Sequence, residues 1–154
     1  MSQPSSAFCV PKVAALAITY HDDKLLLIQR GKEPQLGRWG FPGGSVHAGE
    51  ALVDAARREL LEETHVHAEP EQIVGVIEVN EFDANGQHHH YVLIAVLCQY
   101  QSGTAQADDD AMACQWIQMA HILSNPSAYI DHVGVLTQQI APLINEPIPF
   151  RPVR

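Results

Sequence analysis

The order of apolar segments predicts an α/β protein, a mixed β-sheet covered by helices on both faces. Three observations carry that prediction. Short β-branched runs come first in the chain and return after a helix-period segment. An Asn85-Gly86 pair joins two long strand-like runs in the second half. Between these halves, a glycine- and proline-rich loop leads into one amphipathic segment that gathers most of the chain's closely spaced glutamates.

Taken in order, VAALAITY (Val13 to Tyr20) and KLLLIQR (Lys24 to Arg30) are apolar runs separated by His21, Asp22 and Asp23, and they predict a pair of strands. GKEPQLGRWGFPGG is loop chemistry with Trp39 and Phe41 as aromatic anchors packing beneath it. A helix follows from near Glu50 to about Thr64, with Leu52, Val53, Ala56 and Leu60 as the arc that docks on the sheet. IVGVIEVNEF and HHHYVLIAVLCQY then form a hairpin across Asp83 to Gly86, because Asn-Gly favours positive φ. A polar, acidic loop from Gly103 to Asp110 leads to a short strand around Cys114 to Ile117. Residues 127–144 space Ile130, Val133, Ile140 and Leu143 as a C-terminal helix, which Pro142 should end or kink. Residues 1–11 read as a flexible N-terminus, and with no repeat or linker the whole of 1–154 is expected to be a single domain.

Composition narrows the function classes. With 154 residues, 46% of them hydrophobic, the chain can bury a sizeable core without disulfides or metal staples. A formal charge of −9 repels polyanions, so nonspecific nucleic-acid binding is disfavoured, and a phosphate-bearing partner needs a cation to approach. Cys9, Cys98 and Cys114 are odd in number and widely spaced, which suits a reduced, cytoplasmic protein. No basic leader and no run of roughly 20 apolar residues marks export or a membrane span.

The glutamates carry the chemistry. Glu59, Glu62 and Glu63 stand at i, i+3 and i+4, so a helix places their carboxylates side by side at the margin of its buried face. Like charges held together suit a hard divalent cation such as Mg²⁺, which takes a few carboxylates together with water and substrate phosphates. Gly43 and Gly44 let the preceding backbone approach, offering a carbonyl. The competing reading is a solvated helix face whose acids pair with Arg57 and Arg58.

Spacing decides between them. Gly44, Glu50, Arg58, Glu59, Leu60, Glu62, Glu63 and Val66 fit the pattern Gly-x5-Glu-x7-Arg-Glu-U-x-Glu-Glu-x-Gly-U, with U aliphatic. This resembles the Nudix box of the Nudix hydrolase family, with His65 in place of the box glycine. Together with RWGFPGG and the strand order, the resemblance extends over residues 12–124. It implies a Nudix-type α/β/α sandwich and Mg²⁺-dependent hydrolysis, with Mn²⁺ able to substitute, of the pyrophosphate bond in a nucleoside diphosphate linked to another moiety. An ADP-ribose-like nucleotide sugar or a nucleoside triphosphate is the implied substrate class.

By position, Glu59, Glu62, Glu63 and the Gly44 carbonyl inherit the metal, and Glu59, Glu62, Glu63 and Arg58 form the catalytic set. Glu50 and Arg58 pair as support between loop and helix. The base that activates water belongs to the box helix or to a later loop, where Asp109 and Asp110 are candidates for an additional base or ligand and equally for a solvated turn. His65 is read as an exposed cap in the left-handed region, with a further metal ligand as the alternative. The resemblance also leaves a homodimer open. A different class, a non-catalytic Nudix-like module that senses a nucleotide in a regulatory role, is disfavoured by the intact box acids.

Outside the box, His88, His89 and His90 cannot all converge on one ion, because adjacent strand residues face opposite ways. Arg30, Lys32 and Arg38 are candidates to meet phosphates, against a surface role for each. Trp39, Phe41, Phe82 and Tyr91 are candidates to stack on a base, against core packing.

Overall fold

The computed structural model describes residues 7–145. Seven strands form one mixed sheet: β1 (Lys12–His21), β2 (Lys24–Arg30), β3 (Trp39–Gly40), β4 (Gly43–Ser45), β5 (His67–Phe82), β6 (His88–Ser102) and β7 (Ala111–Gln118). The spatial order is β3-β2-β1-β6-β5, with β4 also pairing β1 and β7 pairing β2. β1 runs parallel to β6 from Lys12↔Tyr91 to Tyr20↔Gln99, and the other pairings are antiparallel. A parallel pair needs a long crossover, and that crossover contains α1 (Leu52–Thr64), the glutamate helix. α2 (Met119–Ser124), a 3-10 turn (Pro126–Ala128) and α3 (Asp131–Asn145) complete the chain.

β1 shows why the sheet is covered on both sides. Six consecutive residues from Val13's neighbour Ala14 through Thr19 are buried, the signature of a strand without a wet face. Ala14, Leu16 and Ile18 join Leu25, Leu27, Leu93, Leu97, Val133, Leu136 and Ile140 under α3, while Ala15 and Ala17 join Leu26, Val96, Ala55, Ala56 and Leu60 under α1. Alanine on both partners of the α1 interface lets the helix backbone settle close to β1.

Several elements differ from expectation. The helix begins at Leu52 rather than Glu50, and of the expected docking arc Leu52, Ala56 and Leu60 pack on the sheet together with Ala55; Val53 is exposed, because it points about 100° away from Leu52. The loop around Trp39 contains two short strands, β3 and β4, that hydrogen-bond β2 and β1. β5 starts six residues before Ile73, continuing past bulges that hydropathy alone does not reveal. β7 extends the short predicted strand at both ends and hands directly to α2, which the sequence pattern did not announce.

In the expected hairpin only Gly86 of the Asn-Gly pair has positive φ, and Asp83 organises the turn by accepting from the amides of Asn85 and Gln87. The tail helix starts at Asp131 after the 3-10 turn, and Pro142 lies inside it without ending it. Residues 1–6 of the expected flexible N-terminus lie outside the described residues. Of the rest, Phe8 and Cys9 contact the hairpin: Phe8 packs edge-on to Phe82 and His88, and the Cys9 amide donates to His88 Nδ1.

Candidate active site

Arg58 is the hub of the glutamate helix. Its Nε donates to Glu50 Oε2 at 2.7 Å and its Nη2 to Glu50 Oε1 at 3.0 Å, a bidentate pair that ties the loop before α1 to the helix. Glu50 also accepts from the His47 amide, and the Arg58 fork together with that amide holds its carboxyl down at about 2. Nη2 reaches the Ser45 carbonyl at 3.0 Å, and Nη1 lies 2.9 Å from Glu59 Oε1 and 3.3 Å from Glu62 Oε2. The expected support pair is therefore present, and the same guanidinium spans two of the three clustered acids. Arg57 is turned away toward Asp54 and Glu69.

Glu63 has the most consequential surroundings. The residue is only 3% exposed, its Oε1 accepts a long bond from the Gly43 amide at 3.4 Å, and its Oε2 is buried without a partner. Burial first, and then the negative charge of Glu59, push its carboxyl well above the usual carboxylate range in the metal-free chain. A buried carboxylate oxygen with nothing to bind is costly unless a cation meets it. Gly44 stands directly over Glu59: a methyl there would overlap the carboxylate, so glycine is what lets the loop backbone and the acid share this space.

The orphaned Glu63 Oε2 and the neighbouring Glu59 fit a divalent cation. Among the described residues, no three acidic, histidine or cysteine side chains form a closed cage, and Arg58 Nη1 reaches both Glu59 and Glu62. A hard cation held by a few carboxylates and completed by water and phosphate does not require one.

His65 takes the left-handed conformation (φ 62°, ψ 16°) that the box pattern reserves for glycine, and its amide closes the helix on Leu61 O. Its exposed imidazole pairs with Asp108 at 2.8 Å, as an exposed cap would. The loop from Gly103 wraps this helix end: the amides of Gln106 and Asp108 donate to the carbonyls of Thr64 and Glu63. Asp109 is an exposed turn residue with φ 52°, and Asp110 pairs with Lys32 at 2.8 Å.

Beside Gly43 and Gly44 opens a cavity of about 370 Å³ on the α3 side of the sheet. Ala14, Leu16, Phe41, Leu93 and Ile130 supply its apolar floor, and β5, the loop after β2 and the start of α3 its polar walls. Arg30, Lys32, Phe41 and Tyr91 line it, with Phe41 buried in the core and Tyr91 packed against it, as the core-packing reading expected of these aromatics. Arg38 instead anchors the loop through the Tyr129 carbonyl and Gln35, Trp39 packs against the core, and Phe82 lies on Phe8 and His88. The three adjacent histidines separate onto Asn80, Asp83 and Glu78.

Sequence reading missed Gln35, Glu81 and His132 as cavity residues. Gln35 and Glu81 are 46 positions apart and join only through folding; His132 follows the 3-10 turn that offset the helix start. Burial and the charge of Arg30 push the His132 imidazole down to about 4, so it is neutral at pH 7.

A glutamate-bearing helix against a mixed sheet, with a glycine loop over its acids, is the architecture of a Nudix-type hydrolase. The chain belongs to the Nudix hydrolase family: the family model for the NUDIX domain matches residues 10–138. It is similar to the ADP-ribose pyrophosphatase of Methanocaldococcus jannaschii, 30% identical over 126 residues that make up 82% of this chain and 71% of that protein. Among solved structures it is similar to a MutT NUDIX hydrolase from Burkholderia pseudomallei, 28% identical with a TM-score of 0.71, covering 85% of this chain and 98% of the other. It is also similar to the NUDIX domain of Shewanella oneidensis NrtR complexed with ADP ribose, 26% identical with a TM-score of 0.69, covering 93% and 94%. Among the described residues, no helix is long and apolar enough to cross a membrane.

Proposed function

We propose that this chain is a Mg²⁺-dependent pyrophosphohydrolase that cuts a nucleoside diphosphate linked to another moiety, with an ADP-ribose-like nucleotide sugar ahead of a nucleoside triphosphate. The observation that carries the reading is the buried, unpartnered Glu63 Oε2, next to the charge of Glu59, which itself lies against the Gly44 backbone. A bound Mg²⁺ would neutralise charge on phosphoryl oxygens and position water for in-line attack; Mn²⁺ can serve in its place. Glu59, Glu62, Glu63 and the Gly44 carbonyl would hold it. Arg58 fixes Glu59 and Glu62 relative to the loop through Glu50 and Ser45. The name of the archaeal relative and the ADP ribose in the NrtR NUDIX domain support the nucleotide-sugar preference.

Asp109 and Asp110 are poorer candidates for the base than the box acids, since Asp110 is committed to Lys32 and Asp109 is an exposed turn residue. We place the protein, as a single domain over residues 1–154, in the cytoplasm: Cys9, Cys98 and Cys114 are all free thiols. Product release from a panel of nucleotide sugars and nucleoside triphosphates, with and without Mg²⁺, tests the proposal alongside Glu62→Gln and Glu63→Gln. Turnover that needs no metal, or that survives both substitutions, overturns it. Nucleotide binding by calorimetry with no product would assign the chain instead to the non-catalytic sensing class.

A further inference from the structure

The wall of the cavity opposite the glycine loop contains a carboxylate that the box does not use. Glu81 lies on β5 in register with Ile77 and Val79, whose side chains pack toward the α3 face of the sheet. It therefore points into the cavity it lines. Its Oε1 accepts from the Gln35 amide nitrogen at 3.0 Å, across from the loop that follows β2, and Gln35 Oε1 in turn accepts from Arg38 at 3.4 Å. The carboxylate is thus oriented from the far wall, with acceptor positions to spare. Beneath it lies the apolar floor of Leu16, Phe41, Leu93 and Ile130, which suits a flat ring.

The charges around the cavity point the same way. Of its two cations Lys32 is paired with Asp110 and Arg30 donates to the Pro34 carbonyl while keeping its charge; against them Glu33, Glu78, Glu81 and Asp131 line it and His132 is neutral. Such a chamber disfavours a further phosphate and favours an uncharged group that donates hydrogen bonds.

Resting on the hydrolase reading for the occupant being a nucleotide, we infer that Glu81 is the base-selecting residue of this cavity: held by Gln35, its carboxylate accepts from the amino group of a nucleobase. A site built to accept from a donor penalises the analogue lacking it, because the half-buried acceptor is covered by the base and left without that partner.

The test is calorimetric binding of nucleosides to the full chain without metal, pairing guanosine and adenosine with inosine, and cytidine with uridine. At least one amino-bearing member should bind about tenfold to a hundredfold more tightly than its counterpart, and Glu81→Ala, which removes the acceptor, should erase that difference. Equal binding within every pair, or a preference that survives Glu81→Ala, overturns the inference. A tenfold loss on removing the ribose 2′-hydroxyl that disappears in Glu81→Ala would also overturn it, by placing the donor on the sugar. Failures are separable: a Glu81-dependent preference without Mg²⁺-dependent hydrolysis sinks only the hydrolase reading, and hydrolysis without the preference sinks only this one.

Discussion

Gly44→Ala separates the site from the fold. Gly44 does not need a positive φ, so alanine carries no backbone strain there. Its methyl would lie 2.7 Å from Glu59 Oε2, with Cδ and Oε1 nearer still, against 3.4 Å for ordinary contact. The carboxylate must retreat by roughly 1 Å, and it can, because it is the end of a flexible side chain. Stability should fall by less than about 1 kcal/mol, as for other substitutions that leave the core intact. The retreat breaks the 2.9 Å bond from Arg58 and misplaces a proposed cation ligand. A misplacement of that size costs on the order of 10²-fold in turnover. Initial rates at saturating nucleotide sugar, a Mg²⁺ titration and a denaturant melt on the same preparation measure all three consequences. Activity within threefold of the parent, with unchanged metal dependence, would refute the claim that Gly44 exists to make room for Glu59.

Glu63→Gln should raise the metal-free melting temperature and abolish any rise on adding Mg²⁺. Because the fold raises the Glu63 pKa, charging it opposes folding; the penalty is absent below about pH 4, grows as pH climbs toward the raised value, and is removed by glutamine. Equal Mg²⁺ shifts in parent and variant, by scanning calorimetry, would contradict this. His65→Gly should change stability by no more than about 1 kcal/mol, since glycine relieves the left-handed backbone while the exposed pair with Asp108 is lost; His65→Val should destabilise, because a β-branched residue resists that conformation. Urea titrations of both variants decide it. The β5–β6 turn should loosen in acid: the His89 pair and the Asn85 and Gln87 amides lower the Asp83 pKa, so its support is complete above about pH 4 and is lost as pH falls through the lowered value. The protection of the Asn85 and Gln87 amides, taken relative to intrinsic exchange at each pH, should fall there, and Asp83→Asn should remove that pH dependence.

How much of this was legible beforehand follows from the range of the forces. The box was, since i, i+3 and i+4 spacing alone puts Glu59, Glu62 and Glu63 together, and the Glu50–Arg58 pair needs only a loop of ordinary length between them. β1 and β2 were, because apolar runs with no wet face leave few alternatives to a covered sheet. Val53 was misassigned because the docking arc depends on where the helix starts, and no capping side chain marks that point.

The sequence by itself determined the α/β class and the i, i+3, i+4 spacing of the acids, both set by local geometry and periodicity, while the box resemblance marked His65 as the place of a left-handed exit. Only the tertiary structure decided that Glu63 is buried with an unpaired oxygen, that Asp108 is bound to His65, that Asp110 is bound to Lys32, and that Gln35 reaches Glu81 across a cavity. Burial and pairing over dozens of residues arise from how the layers close, and one-dimensional spacing contains no record of that closure.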